Sequence, residues 1–191
     1  MRICHETERI WDVDIPHFSQ LDNDSDHNSG PLNECSFTCM AMFLRSLGFV
    51  GNGDGQFEDQ IERLSEALGH TRGEPYAMSE LMNDHFYHAD YQYKFTPAAT
   101  WDDLRSDLLK GLPSILHTWL TGSGHVIVYR GWNDDAYGGY GANIFNDPYG
   151  EWCPGGYDTG ASGEGVEYSY SLSKRLIGID GDLWAHRIIS R

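Results

Sequence analysis

CSFTCMAMFLRSLG, Cys35 to Gly48, and GLPSILHTWLTGSGHVIVYRGW, Gly111 to Trp132, are the two stretches from which the fold is read. In the first, Phe37, Met40, Ala41, Leu44 and Leu47 recur at spacings of three and four, the period of a helix with one apolar face. Gly48 stands where a helix commonly ends. In the second, apolar and β-branched runs are broken by Thr121-Gly-Ser-Gly124, which predicts strands at Pro113–Leu120 and His125–Trp132.

Upstream, residues 1–34 read as irregular, with a short strand at Trp11–Phe18 and a polar, turn-rich loop at Asp22–Pro31. Phe57, Ile61, Leu64 and Leu68 form a second helical stripe, and a third helix is expected from about Tyr76 to His88. Thr100 followed by Asp103 resembles an N-terminal cap, opening a short helix that stops at Gly111. Further strands are expected at Asn143–Asp147, Val166–Leu172 and Leu183–Ile189. Helices first and strands later predict an α+β fold with an antiparallel sheet. No internal repeat or linker interrupts the chain, so one domain spanning 1–191 is expected.

Composition narrows the function. The 191 residues carry 29 acidic against 13 basic side chains, a net charge of −16. Nucleic acid is a poor partner for such a surface, because neutralising phosphates takes clustered lysine and arginine. No run approaches 18 apolar residues, so no membrane span is expected. MRICHETERIWDVDIP lacks the apolar centre of a secretory signal. The expectation is a protein that stays cytoplasmic until released, or reaches the outside by a route this chain does not encode. Cys4, Cys35, Cys39 and Cys153 are too sparse for a disulfide framework, and no CxxC pair suggests structural zinc.

The chemistry gathers at element boundaries. Cys35 opens the best helix of the chain, where unpaired N–H groups and the helix dipole favour a thiolate. Cys39, one turn deeper, is expected to be packed. His125 opens the strand HVIVY after a flexible run, so its ring can emerge beside an accessible loop. Asp147, in NDPYG at the end of the following strand, would lie near His125 if the two strands pair antiparallel. A thiol, a base and an orienter are the parts of nucleophilic acyl transfer. Gln20, in PHFSQ, is the candidate side-chain donor for the oxyanion, beside the backbone N–H of Cys35. Trp119, Trp132, Tyr149 and Trp152 cluster by sequence around these positions, either as groove walls or as sheet core.

The order Gln20, Cys35, His125, Asp147 resembles that of the papain-like cysteine peptidases. FSQLDN, CSFTCMAMFLRSLG, GLPSILHTWLTGSGHVIVYRGW and NDPYGEW are similar to the soluble bacterial and phage relatives of the peptidases that process double-glycine bacteriocin leaders. The resemblance covers about Ile15 to Trp152. It implies a papain-like fold, with the nucleophile helix packed on a C-terminal antiparallel sheet. It also implies a Cys35–His125–Asp147 triad with Gln20 in the oxyanion hole. Two departures stand out: Cys39 replaces a frequent Ser, and Cys35 lies 15 positions after Gln20 where close relatives of papain have a shorter gap. No transporter domain follows, so export-coupled leader cleavage is not expected. By analogy with soluble phage relatives, the substrate would be a peptide of the cell wall, as for an endolysin cutting peptidoglycan. An amidase or acyltransferase using the same triad stays open, as does a catalytically silent calcium-dependent binding module of a wall or virion.

Within the long Gln20–Cys35 gap, Asp22, Asp24 and Asp26 alternate with Asn23 and Ser25. Carboxylates at first, third and fifth positions are how calcium loops begin. His27 stands at the sixth position in place of Gly, and Asn33 at the twelfth in place of Glu. The pattern leaves two readings open, a solvated acidic loop or calcium held by Asp22, Asp24 and Asp26 as a cofactor; calcium there would order the segment between Gln20 and Cys35. Asn52–Gly55 with Glu58 and Asp59 is a weaker acidic stretch. His85 and His88 are read as surface or packing.

Overall fold

A computed structural model describes residues 9–24, 30–177 and 182–191. In chain order the elements are β1 (Ile10–Asp12), 3₁₀ turns at Gln20–Asp22 and Pro31–Asn33, α1 (Cys35–Ser46), α2 (Phe57–Ala67), α3 (Pro75–His85), β2 (Tyr91–Ala99), α4 (Trp101–Leu108), β3 (Ser114–Thr118), β4 (His125–Asn133), the single turn α5 (Ala136–Gly139), β5 (Ala142–Asn146), β6 (Glu151–Cys153), β7 (Gly156–Asp158), β8 (Val166–Ser169), α6 (Tyr170–Leu176) and β9 (Leu183–Ser190).

Strands pair in the order β2-β9-β3-β4-β5-β8, with β1 added to β4, and every pairing is antiparallel. β6 and β7 form a separate two-stranded hairpin. The fold is thus α+β, as the order of elements predicted. β4 is the centre. Its residues from His125 to Trp132 are all buried because both faces are covered. Val126 and Val128 face a cluster with Phe37, Met40 and Leu44 of α1, while Ile127 and Tyr129 face Leu104, Leu108, Leu116 and Phe145. A continuous apolar run, not an alternating one, is what a doubly covered strand requires.

α1 differs from its expected amphipathic form. Every residue from Ser36 to Leu44 is buried, including Thr38, Cys39, Met42 and Phe43 off the apolar stripe. The sheet covers one side and α2 packs against the helix as well, so α1 runs through the interior. At roughly 1.5–3 kcal/mol for each large apolar side chain fully removed from water, Met40, Met42, Phe43 and Leu44 anchor it firmly. Cys39 adds a tie: its Sγ donates to the carbonyl of Val126 at 3.2 Å, fixing α1 against the start of β4.

Other expectations met the structure at their ends. The capping box at Thr100 and Asp103 is present, with the Thr100 hydroxyl accepting from the Asp103 N–H at 3.1 Å and the Asp103 carboxylate accepting from the Thr100 N–H at 3.0 Å. The strand expected at Trp11–Phe18 ends at Asp12. Val13 still donates its N–H to the Arg130 carbonyl at 2.9 Å, and further on side chains hold the segment: the amide of Asn146 donates to the carbonyls of Ile15 and Pro16. The strand expected at Val166–Leu172 stops at Ser169, whose hydroxyl caps α6 by accepting from the Leu172 N–H. β2 is a strand that the sequence pattern conceals. Tyr91, Tyr93 and Phe95 alternate, but Pro97 cannot donate to a ladder, and the register shifts between Thr96 and Ala99.

Candidate active site

α1 delivers Cys35 and β4 delivers His125. The His125 ring interacts with the thiol of Cys35 and, through Nε2, is hydrogen-bonded to Oδ1 of Asp147 at 2.8 Å. With Nε2 committed to Asp147, Nδ1 is the nitrogen that serves Cys35. Pairing of β4 with β5 sets this up: Val128 lies opposite Asn146, so the chain leaves the sheet at Asp147 beside the first residues of β4.

Burial alone would push the Cys35 thiol up, but the hydrogen bond and charge of His125 outweigh it and hold the thiol below its usual value. Burial would likewise pull His125 down. The charge and hydrogen bond of Asp147, joined by Cys35, reverse that and lift His125 to about 10. The two directions agree and favour a thiolate–imidazolium pair. Burial leads the influences that push Cys39 well up, the charge of Cys35 next, so it stays a neutral thiol, consistent with its donation to Val126.

Asp147 is fully buried at 0% exposure, and its carboxylate is saturated with donors. Oδ1 takes His125 Nε2 and the Tyr149 N–H at 3.0 Å; Oδ2 takes the hydroxyls of Tyr157 and Tyr168, both at 2.9 Å. Its backbone is fixed too. Its N–H donates to the Gly163 carbonyl at 2.8 Å, and its own carbonyl lies 3.0 Å from His17 Nε2. A Cβ at position 163 would sit 1.8 Å from that carbonyl oxygen, so only glycine fits there. Next door, Asn146 accepts from Arg130 Nη1 at 2.9 Å, and Arg130 in turn forks onto Asp12 at 2.6 and 3.0 Å. This buried guanidinium ties β1, β4 and the end of β5 into one support for Asp147.

Gln20 is buried, and its backbone N–H donates to the Pro148 carbonyl at 2.9 Å, joining the 3₁₀ turn to the loop that follows Asp147. Nε2 donates to the Pro31 carbonyl at 2.8 Å. A primary amide has two N–H donors, so the second remains for the cavity that Gln20 lines with Cys35. This open cavity has a volume of about 840 Å³, and Arg72, His117, Trp119 and Trp184 also line it. Trp119 and Trp184 are 55% and 53% exposed. The aromatic cluster expected near the site is therefore divided. Trp119 and Tyr149 face the cavity, Trp132 stacks on Trp11 with centroids 5.8 Å apart, and Trp152 packs against the sheet core.

Of the three aspartates expected to bind calcium, Asp26 lies outside the described residues. Asp22 closes the first 3₁₀ turn, and the N–H of Asp24 donates to Asp59 Oδ1 at 3.1 Å. Among the described residues, no group of three or more His, Cys, Asp or Glu side chains is arranged to hold a metal ion. What the structure does gather there is negative charge. Burial first, then Asp59, Asp22 and Glu34, push the Glu58 carboxyl up to about 7. His88 stacks on Tyr91 at 4.6 Å, a packing role as expected.

The residues that support Asp147 escape a reading of the sequence. Arg130, a lone cation inside HVIVYRGW, is the one signal that a buried partner must exist. Tyr157 and Tyr168 carry no such signal, being ordinary aromatic residues in a glycine-rich stretch.

Fold and site place the protein in the papain-like class. The chain belongs to the Peptidase_C39-like family, whose model matches residues 13–176. Membership and fold together support a cysteine peptidase. A crystal structure of a putative C39-like peptidase from Bacillus anthracis is similar over 95% of this chain and 98% of its own, with a TM-score of 0.60 and 13% identity. A structure from work on antibody cross-reactivity between the mite allergens Blo t 1 and Der p 1 aligns over 97% of this chain and 72% of its own, with a TM-score of 0.55 and 11% identity. Both likenesses lie in the fold. A search of curated proteins found no significant match. No helix among the described residues is long and apolar enough to cross a membrane.

Proposed function

We propose that the protein hydrolyses peptide bonds with Cys35 as nucleophile, His125 as acid and base, Asp147 as orienter and Gln20 as oxyanion donor. One observation carries this reading: the His125 ring joins Cys35 to a buried carboxylate in the wall of an open cavity. The Cys35 thiolate adds to the scissile carbonyl carbon, and the negative charge moves to the carbonyl oxygen. The Cys35 N–H and the second N–H of Gln20 Nε2 receive that charge. His125 then gives its Nδ1 proton to the leaving amine as the C–N bond breaks, leaving a thioester. Neutral His125 next takes a proton from water, whose oxygen attacks the thioester and releases the acid and the thiolate.

The substrate proposed is a cell-wall peptide, in the manner of a phage or bacterial lysin. Exposed Trp119 and Trp184 offer apolar walls, and Arg72 offers a cation to the carboxylates that such peptides carry. The acidic loop with Asp22, Asp24 and Asp26 is proposed to take calcium, supported by the negative charge gathered around Glu58. The test is digestion of purified peptidoglycan and of casein, with calcium and with excess chelator, followed by mass analysis. The reading expects new amino termini from peptidoglycan that Cys35→Ala does not produce, in greater yield with calcium. Release by Cys35→Ala at the wild-type rate sinks it; casein cleavage alone removes the wall substrate, and equal yield in chelator removes calcium.

A further inference from the structure

The carboxylate of Asp147 has about four acceptor positions, and all four are filled. His125 and the Tyr149 N–H occupy Oδ1. Two phenols occupy Oδ2, and they come from separate elements: Tyr157 from the β6–β7 hairpin and Tyr168 from β8. We propose that Tyr157 and Tyr168 are positioning residues, a two-phenol clamp that holds the Asp147 carboxylate aimed at His125. The inference rests on the thiol-peptidase reading of the same site.

A carboxylate at 0% exposure must be compensated to stay charged. A guanidinium or ammonium would do so, but it would also cancel the negative charge that the imidazolium needs. Neutral hydroxyl donors stabilise the anion and leave its net charge in place. Two donors on Oδ2 also stop the carboxylate plane from turning about its own bond, so Oδ1 stays on Nε2.

The phenols remain donors throughout. Burial and the neighbouring Asp147 push both tyrosines far up, so neither loses its proton. Tyr157 has a second contact. Its ring lies 5.4 Å from that of His125 and 5.0 Å from that of Tyr149, both edge-on, while Tyr149 lies 6.2 Å from His125. The two rings cover the imidazole on the Asp147 side. The hairpin that brings Tyr157 pairs only with itself, and an isolated two-stranded hairpin is marginally stable. The bond to Asp147, the packing of Trp152 and Tyr157 on the sheet core, and the Trp152 N–H on the Tyr168 hydroxyl fix it to the site.

The groups facing Asp147 are His125 from β4, Cys35 and Cys39 from α1, Tyr149 from the turn after β5, Tyr157, Tyr168, and His17 at its backbone carbonyl; Glu151 lies beside Tyr168. The phenol dipoles point their positive ends at this group and favour proton loss within it. Removing a hydroxyl should therefore move both protonation steps of the Cys35–His125 pair to higher pH.

The experiment measures the rate constant for alkylation of Cys35 by iodoacetamide against pH, for the wild type, Tyr157→Phe and Tyr168→Phe. Each is also made with Asp147→Asn, and circular dichroism and melting temperature report folding. The clamp predicts an upward shift of both limbs by about one pH unit per hydroxyl, with the fold retained. It also predicts that the shift disappears in the Asp147→Asn background. Should Tyr168→Phe fail to fold, Tyr157→Phe at the half-buried hairpin decides the question alone. Folded Phe variants with unmoved limbs, or shifts that persist in the Asp147→Asn background, overturn the clamp alone. A wild type in which Cys35 titrates as an ordinary thiol removes the peptidase site and the clamp together.

Discussion

Replacing Asp147 by Asn removes a charge and keeps a shape. The Asn oxygen can still accept from His125 Nε2, and the hydroxyls of Tyr157 and Tyr168 can turn to accept from its amide. What is lost is the charge that outweighs burial at His125. With it, His125 stands at about 10 against an ordinary 6.5. That gap corresponds to roughly 4–5 kcal/mol of preference for the imidazolium. Without the charge, burial works against the imidazolium with only Cys35 opposing it, and the alkaline limb should fall from about 10 to below about 7. A histidine of ordinary value keeps roughly a tenth of its proton at pH 7.5, so alkylation of Cys35 at that pH should fall about tenfold or more. Stability should follow the same linkage. A raised histidine stabilises the fold fully below 6.5 and loses that contribution as pH rises through about 10. The melting deficit of Asp147→Asn should therefore be largest below about pH 6.5, shrink as pH climbs from there, and vanish above about 10. The assay is the alkylation rate from pH 5 to 11, with melting curves alongside. An alkaline limb within half a unit of the wild type would refute the reasoning.

Gln20→Ala should lower kcat by about 10²–10³-fold with KM nearly unchanged, as expected for a donor used only when charge develops on oxygen; steady-state kinetics on a cleaved peptide check this. Glu58 is raised to about 7, so its burial destabilises the fold as pH climbs from about 4.5 to 7. Glu58→Gln should then gain roughly 1–3 kcal/mol at pH 8 and little at pH 4 in urea unfolding. If calcium relieves the same repulsion, it should raise the melting temperature of the wild type more than that of Glu58→Gln. The buried pair His117 and His186, with Nε2 atoms 3.0 Å apart, titrates in the other direction: burial holds His117 down to about 4 and His186 down too, the charge of His117 adding to the latter. The unfolded chain takes protons that the folded one refuses, so stability should drop between pH 6.5 and 4 by up to about 1.4 kcal/mol per unit and imidazole, and His117→Asn should flatten the decline.

The parts of the site that are legible in sequence sit at element boundaries. Cys35 follows a loop and begins a helical stripe; His125 follows a glycine-rich run and begins an apolar strand; Asp147 ends the next strand. A change of period marks such positions, and antiparallel pairing of neighbouring strands then brings two of them together. The rest depends on contacts that no local pattern encodes. Asp12 meets Arg130 across 118 positions, and Asn146 meets Ile15 across 131. Tyr157 sits in a hairpin among glycines, where turn residues hide a short strand. The helix-first, strand-later order is readable, but the full burial of α1 is not, because Thr38 and Ser36 look like solvent positions until the sheet and α2 enclose them.

The most direct test of the central claim is peptide mapping after treating the native protein with one equivalent of iodoacetamide at pH 6. At that pH an ordinary thiol is protonated and slow, whereas a thiolate held by an imidazolium reacts. The account predicts label on Cys35, little on exposed Cys153 or buried Cys39, and loss of peptide hydrolysis in proportion to the label. Label on Cys153 ahead of Cys35, or hydrolysis that survives full labelling of Cys35, would contradict it.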